Sequence, residues 1–122
     1  MKSIGFIGGG RITNIFFQAF KNANIQFNQS TIFDVDENAV KALKLRFPQI
    51  VPTANIKDVA NSDLIILAVH PPKVKEALEQ INDDLNPDSV LISLAPKFTI
   101  DKIISLLDGF KNVVRMNPSA ST

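Results

Sequence analysis

Short apolar runs alternate with segments of helical periodicity along the whole chain. Apolar residues three and four positions apart predict helices, whereas short continuous apolar runs predict buried strands. The predicted strands are 3–7, 31–35, 50–51, 63–69, 90–94 and 113–116, and the predicted helices are 11–22, 37–47, 55–61, 72–85 and 99–107. Strands that alternate with helices in this way predict an α/β fold with a doubly wound parallel sheet of about six strands, in the order 3-2-1-4-5-6.

Two of these segments indicate where the core lies. The run 63–69 (DLIILAV) is almost continuously apolar, so it is predicted to be a central strand covered on both faces. The first helix carries apolar residues at helical spacing, which predict the face that packs on the sheet; they are Ile12, Ile15, Phe16, Ala19 and Phe20.

Three consecutive glycines lie between the first predicted strand and the first predicted helix. The spacing Gly8-x-Gly10-x-x-Thr13 matches the dinucleotide fingerprint of Rossmann-like folds, with threonine at the third glycine position. In that fingerprint the first glycine allows a tight turn, the second lets the backbone approach a pyrophosphate, and the third position needs a small residue. The motif therefore predicts a dinucleotide over the start of the helix. The alternative is a glycine-rich turn without a ligand.

Charged residues near this loop bear on the choice of cofactor. Arg11 opposes the helix dipole unless an anion is bound, although a solvated arginine is the alternative. Asp34 closes the second strand, where a carboxylate accepts hydrogen bonds from the adenosine ribose and repels the extra phosphate of NADP. The prediction is therefore NAD(P)H with NAD favoured over NADP, and Lys41 and Lys44 reach back only weakly. Alternatively Asp34 caps the next helix, which is the preferred interpretation for Asp36.

No acid, base or nucleophile stands out as catalytic. His70 is the only histidine; it follows the fourth strand in AVHPPK, and we expect it to line the crevice at the strand ends rather than to catalyse. Ser93, Ser119 and Ser121 are candidates for the pocket, with ordinary loop serines as the favoured alternative.

Composition narrows the class of protein further. The chain has 122 residues, a formal net charge of +1 and no cysteine, so it is expected to be one domain without disulfides or cysteine-based metal sites. No block of lysine and arginine suggests nucleic acid, and the longest apolar stretch, 64–69, is too short to span a membrane. We expect a cytoplasmic protein that binds a small-molecule substrate and no metal.

Five motifs in order along the chain resemble one family. GFIGGGRIT, TAN (53–55), LAVHPP (67–72), SLAP (93–96) and VRMNPS (114–119) together resemble the N-terminal domain of pyrroline-5-carboxylate reductase. Coenzyme F420-dependent NADP oxidoreductases share this domain. The family reduces the cyclic imine pyrroline-5-carboxylate to proline with NAD(P)H. The resemblance thus implies a cofactor-binding domain for hydride transfer in proline biosynthesis.

The resemblance also implies roles for the matching positions. Cofactor contacts are implied at the pyrophosphate (Gly8, Gly10, Arg11, Ile12, Thr13), after the third strand (Asn55), beside the riboses and nicotinamide (Ala68, Val69, His70, Pro71) and near the nicotinamide (Pro118).

The chain departs from the family pattern mostly around the nicotinamide end. The family usually has asparagine, alanine and lysine at positions 11, 13 and 70, small residues and glycine at 96–97, and a different motif after the sixth strand. These departures leave the substrate more open than the cofactor. Alternatives are another dehydrogenase of the hydroxyacid or prephenate type, a non-catalytic NAD(H)-binding module, or an α/β domain that has lost its ligand.

The family's second, all-helical domain has no counterpart in these 122 residues. That domain forms the dimer and much of the substrate pocket. We therefore expect a cofactor-binding half with little or no reductase activity alone, which forms a homo-oligomer only through the missing domain.

Overall fold

One parallel sheet of six strands organises the computed structural model, which describes residues 2–95 and 98–116. The strand order is β3-β2-β1-β4-β5-β6, as predicted. The strands are β1 (Ile4–Ile7), β2 (Ser30–Phe33), β3 (Val51–Pro52), β4 (Leu64–Leu67), β5 (Val90–Ser93) and β6 (Val113–Arg115). The helices are α1 (Arg11–Asn22), α2 (Glu37–Arg46), α3 (Lys57–Ala60), α4 (Pro71–Ile81) and α5 (Ile100–Ser105). The predicted Rossmann-like α/β fold is confirmed.

Local capping sets the helix boundaries, which differ from the predicted ones by a few residues. The Asp36 carboxylate accepts hydrogen bonds from the backbone N–H groups of Asn38 and Ala39 at 3.0 and 3.3 Å, which confirms it as the cap of α2. The predicted helix 72–85 is α4 followed by a 3-10 turn over Asn82–Asp84. Short-range bonds at helix ends are common and do not alter the fold.

Two hydrophobic cores lie on opposite faces of the sheet. Alternate residues of the strands point to opposite faces, so Phe6 joins one core while Ile7 joins the other. α1 and α2 cover the first core, and α3, α4 and α5 cover the second. Because β1 and β4 are adjacent central strands, their carboxyl ends meet where the chain changes face.

The buried face of α1 differs from the predicted one. Thr13 and Phe17 are the buried residues of this helix, Phe16 and Phe20 are partly buried, and Ile15 is 47% exposed. The centroid of the Phe17 ring lies 5.0 Å from that of Phe6 and 5.7 Å from that of Phe47. Periodicity alone could not separate these overlapping faces, because the aromatic partners come from β1 and from the end of α2.

None of the helices in the described ranges is long and apolar enough to cross a bilayer.

Candidate functional site

Gly8 carries the chain from β1 towards α1 past the end of β4. Its φ is +116°, a conformation that L side chains rarely adopt, and a Cβ here would lie 2.4 Å from the Ala68 carbonyl oxygen. The Ala68 N–H donates to the Ile7 carbonyl at 2.9 Å, which holds the two strand ends together. Both the backbone conformation and the close neighbour therefore require glycine at this position.

Asp34 ties the end of β2 to the glycine loop. Its Oδ2 accepts a hydrogen bond from the Gly9 N–H at 2.7 Å, and its Oδ1 accepts one from the Asp36 N–H at 2.8 Å. Asp34 therefore does not cap α2, and the tie to Gly9 was not anticipated from the sequence. The only sequence signal for this hydrogen bond is an acidic residue that follows the glycine loop by 25 positions.

Neither packing nor backbone conformation requires a glycine at position 10. Apart from Gly10 itself and its two chain neighbours, no described residue has an atom within 4 Å of the position its Cβ would take, and its φ of −86° suits any residue. The space that a side chain would fill is open beside the start of α1. Such a space fits the close approach of a ligand to the backbone, as the fingerprint requires for a pyrophosphate.

The first turn of α1 presents unpaired donors to this space. The first intrahelical bond runs from the Asn14 N–H to the Gly10 carbonyl at 3.1 Å, so the N–H groups of Arg11, Ile12 and Thr13 have no carbonyl partner within the helix. Gly10 offers no capping side chain, and no acidic residue lies in this turn. Arg11 is exposed and adds a positive charge, so this end of α1 suits an anion.

The start of α4, by contrast, is poorly suited to an anion. Its first two residues, Pro71 and Pro72, have no N–H groups, and the Lys73 N–H donates to the His70 carbonyl at 2.8 Å. Two helices begin near the adjacent ends of β1 and β4, and α1 is the one with open donors.

The side chain of Thr13 lies beneath the loop. It is 1% exposed, and its hydroxyl donates to the Gly8 carbonyl at 2.6 Å. The hydroxyl of Thr13 is therefore occupied, and only its backbone N–H is available to a ligand. The neighbouring side chains are more accessible, since Ile12 is partly buried and Arg11 is exposed.

A groove of about 980 Å³ adjoins Asp34 between α2 and the ends of β2 and β3. Aliphatic side chains that are unusually exposed border it, with Val35 at 78% and Leu45 at 85%. Neither residue was predicted to border a site, and Val35 lies beyond the end of β2 although the predicted strand 31–35 included it. An aliphatic residue at position 45, off the buried face formed by Val40 and Leu43, was the available signal. The full lining is Phe33, Asp34, Val35, Glu37, Val40, Lys41, Lys44, Leu45, Pro52, Thr53 and Ala54.

The two lysines of this groove differ in their freedom. The Lys44 ammonium donates to the carbonyls of Pro48 and Ile50, the latter at 2.6 Å. These two bonds join α2 to the segment that follows it. Lys41 has no hydrogen bond or ion pair with any residue of the described ranges. A cation that can turn towards the groove is therefore Lys41 rather than Lys44.

Asn55 follows β3 and lies two residues before the first residue of the short helix α3. Its Oδ1 accepts from the Lys57 N–H at 3.1 Å, and its side chain is exposed. The preceding residues Thr53 and Ala54 line the groove beside Asp34. The TAN motif therefore reaches the groove, while the predicted cofactor contact of Asn55 itself stays a prediction.

The remaining predicted residues lie at or beyond the end of β4. Ala68 and Val69 are half-buried, and His70 is exposed as the N-cap residue of α4, with no capping bond from its side chain. Pro71 is the first residue of α4. Ser93 is buried and its hydroxyl accepts from the Ala95 N–H at 3.2 Å, so it does not face the crevice. Pro118, with Ser119 and Ser121, lies outside the described residues.

Three proteins of known family are similar to this chain. The pyrroline-5-carboxylate reductase of Methanosarcina acetivorans is 31% identical over 97% of the chain, which spans 44% of that protein. A pyrroline-5-carboxylate reductase structure from Coxiella burnetii has a TM-score of 0.85 at 24% identity, covering 93% of this chain and 43% of that one. The Plasmodium falciparum pyrroline carboxylate reductase structure, with NADP bound, has a TM-score of 0.79 at 20% identity, covering 97% and 42%.

The two structures establish the likeness of fold, and the chain spans less than half the length of each of these proteins. The family model described as NADP oxidoreductase, coenzyme F420-dependent, matches residues 3–97. These comparisons confirm the resemblance that the five motifs indicated. The chain belongs to the coenzyme F420-dependent NADP oxidoreductase family.

Proposed function

We propose that this chain is the NAD(P)H-binding domain of a pyrroline-5-carboxylate reductase-like oxidoreductase that reduces a cyclic imine in proline biosynthesis. The observation that carries the proposal is the open space at Gly10 beside the unpaired amides of α1. The similarity to pyrroline-5-carboxylate reductases along nearly the whole chain supports the substrate class. Substrate binding and oligomer formation are then proposed to need residues beyond these 122, since the chain spans only 44% of the Methanosarcina acetivorans reductase.

The chain's own residues would hold the two ends of the cofactor. NAD(P)H supplies the hydride when it is bound. The N–H groups of the first turn of α1 would donate to the pyrophosphate, with the Arg11 guanidinium adding positive charge. The groove would take the adenosine, its exposed Val35 and Leu45 being covered by the adenine ring.

The nicotinamide end would lie along the crevice after β4. Ala68 and Val69 are half-buried there and would border the ribose and the ring, with His70 exposed above them. Because no described residue at this end is arranged as an acid–base pair, we propose that these residues orient the cofactor rather than transfer a proton. The contacts proposed for Asn55, Pro71 and Pro118 rest on the family resemblance.

Asp34 is proposed to favour NAD over NADP. Two backbone N–H groups fix its carboxylate at the edge of the groove, where it would accept from ribose hydroxyls and repel a 2′-phosphate. Lys41 is the cation that opposes this preference. A related fold with NADP bound means that the preference must come from such side chains and not from the fold.

Parallel titrations of the purified chain with NADH and NADPH test the proposal. Nicotinamide fluorescence is a clean signal because the chain has no tryptophan or tyrosine. We expect tighter binding of NADH, and we expect Asp34→Asn to shift the preference towards NADPH. The variant removes the charge; its amide oxygen accepts from the Gly9 N–H, while the Asp36 N–H loses its carboxylate partner.

Asp36→Asn is the matched control, because asparagine caps a helix about as well as aspartate does. It should leave the ratio of the two dissociation constants unchanged. A wild-type chain that prefers NADPH would contradict the role of Asp34. Binding of neither cofactor would contradict the proposed function.

A further inference from the structure

Each of the three loop glycines forms a hydrogen bond with a residue outside the loop. The Gly8 N–H donates to the Phe33 carbonyl at 2.7 Å, and the Gly9 N–H donates to Asp34. The Gly10 carbonyl accepts from the backbone of Asn14. The Gly8 carbonyl accepts a hydrogen bond from the hydroxyl of Thr13. The loop therefore has a defined shape before any ligand arrives.

The hydroxyl of Thr13 links the first residue of the loop to the first turn of α1. It spans five positions of the chain and lies only 2.6 Å from the Gly8 oxygen. Both residues are buried, so water does not readily replace the hydroxyl, and a carbonyl left without its partner is unfavourable. This bond fixes how far the start of α1 stands from the end of β1.

We propose that Thr13 is a positioning residue for the cofactor. Its hydroxyl holds the Gly8 carbonyl, and thereby holds the N–H groups of Arg11, Ile12 and Thr13 itself in the orientation that receives the pyrophosphate. The inference rests on the proposed function. It assigns the threonine side chain a purpose although that side chain touches no ligand.

A loop that is ordered in advance loses less conformational freedom when the ligand binds. Removal of the hydroxyl should therefore weaken the binding of any dinucleotide that uses the pyrophosphate site. It should not change the choice between NADH and NADPH, because that choice is proposed to depend on Asp34, which bonds the Gly9 N–H, whereas the Thr13 hydroxyl bonds the Gly8 carbonyl. This separates the effect of Thr13 from that of Asp34.

The experiment compares Thr13→Val and Thr13→Ser by titration of the 122-residue chain with NADH and NADPH. Valine keeps the shape and removes the hydroxyl, whereas serine keeps the hydroxyl. We expect Thr13→Val to weaken both cofactors with their ratio unchanged, by up to roughly tenfold, which is the limit in which the whole free energy of the lost buried bond must be supplied when the ligand orders the loop. We expect Thr13→Ser to bind within about twofold of the wild type.

Thr31→Val is the control, since Thr31 is also buried but lies on β2, and its hydroxyl accepts from Gln29. It should bind both cofactors like the wild type. Circular dichroism melting checks that each variant is folded at the titration temperature, and Thr13→Ala replaces Thr13→Val if the latter is not.

Three outcomes would overturn the inference. Unchanged binding by the variant that lacks the hydroxyl would show that the bond does not position the amides. Equal weakening in Thr13→Ser would assign the effect to shape. A wild-type chain that binds neither cofactor would overturn the proposed function and this inference together, whereas the first two outcomes leave the proposed function intact.

Discussion

Gly8 and Gly10 are two positions apart, yet different physics explains each of them. Gly8 has a positive φ and no room for a Cβ, so the fold needs glycine there. Gly10 has an ordinary φ and an empty space beside it, so the fold alone would accept a side chain. The first glycine is therefore assigned to folding and the second to binding.

Substitution by alanine should separate the two roles. Gly8→Ala should lower the free energy of unfolding by about 1–3 kcal/mol from backbone strain, and by more because of the overlap with Ala68. Gly10→Ala should leave stability within about 0.5 kcal/mol of the wild type but weaken NADH binding. Urea denaturation and NADH titration measure the two effects.

Gly109→Ala is the control for Gly8, because Gly109 also has a positive φ, of +77°, but has open space around its Cβ position. The difference between these two variants reports the contact with Ala68 together with the additional backbone strain of the larger φ at Gly8. Equal loss of stability in Gly8→Ala and Gly10→Ala would contradict the assignment of Gly10 to binding.

At the scale of elements, polar side chains join the strands at both ends of the sheet. Asp34 joins β2 to the glycine loop at the carboxyl end. At the other end, Asp63 accepts from the backbone N–H and the hydroxyl of Ser3, at 2.9 and 3.2 Å. The Leu64 N–H donates back to the Ser3 carbonyl at 3.1 Å, so this joint aligns β1 with β4.

The backbone N–H of Ser3 lowers the pKa of Asp63 below its ordinary value of 3.8. A lowered pKa in the folded state means that the charged carboxylate stabilises the fold above the ordinary value, and that this contribution disappears as the pH falls through the folded pKa. Asp63→Asn should therefore be less stable than the wild type at neutral pH, and the difference should vanish at low pH. Urea denaturation across the acidic range measures it.

Nuclear magnetic resonance titration of Ser3→Ala gives a second check on this joint. The variant keeps the backbone donor and loses the hydroxyl, so the pKa of Asp63 should rise but stay below 3.8. A stability difference between Asp63→Asn and the wild type that does not depend on pH would contradict the prediction.

For the molecule as a whole, binding and turnover should separate. We predict that the 122 residues bind NADH but do not oxidise it when pyrroline-5-carboxylate is added. Hydride transfer needs the imine carbon to be held against the nicotinamide and shielded from water, and His70 at this end of the sheet is exposed.

Loss of nicotinamide absorbance measures this turnover, with the reductase of Methanosarcina acetivorans as the positive control. Turnover by the 122 residues at a rate close to that control would contradict the prediction.

The order of the elements and the place of the glycine loop could be predicted from the sequence by itself. Both follow from local features, namely the spacing of apolar residues and three glycines between a strand and a helix. The cap of α2 was predictable for the same reason, because Asp36 and its partners are adjacent in the chain. Short-range interactions are visible to any analysis of sequence neighbours.

The tertiary structure alone decided which partner each site residue has. Asp34 meets Gly9 across 25 positions, and Phe17 rather than Ile15 is buried because Phe6 and Phe47 surround it. The groove beside Asp34 exists only where α2 meets the ends of β2 and β3. Such contacts depend on the packing of distant segments, which local spacing does not encode.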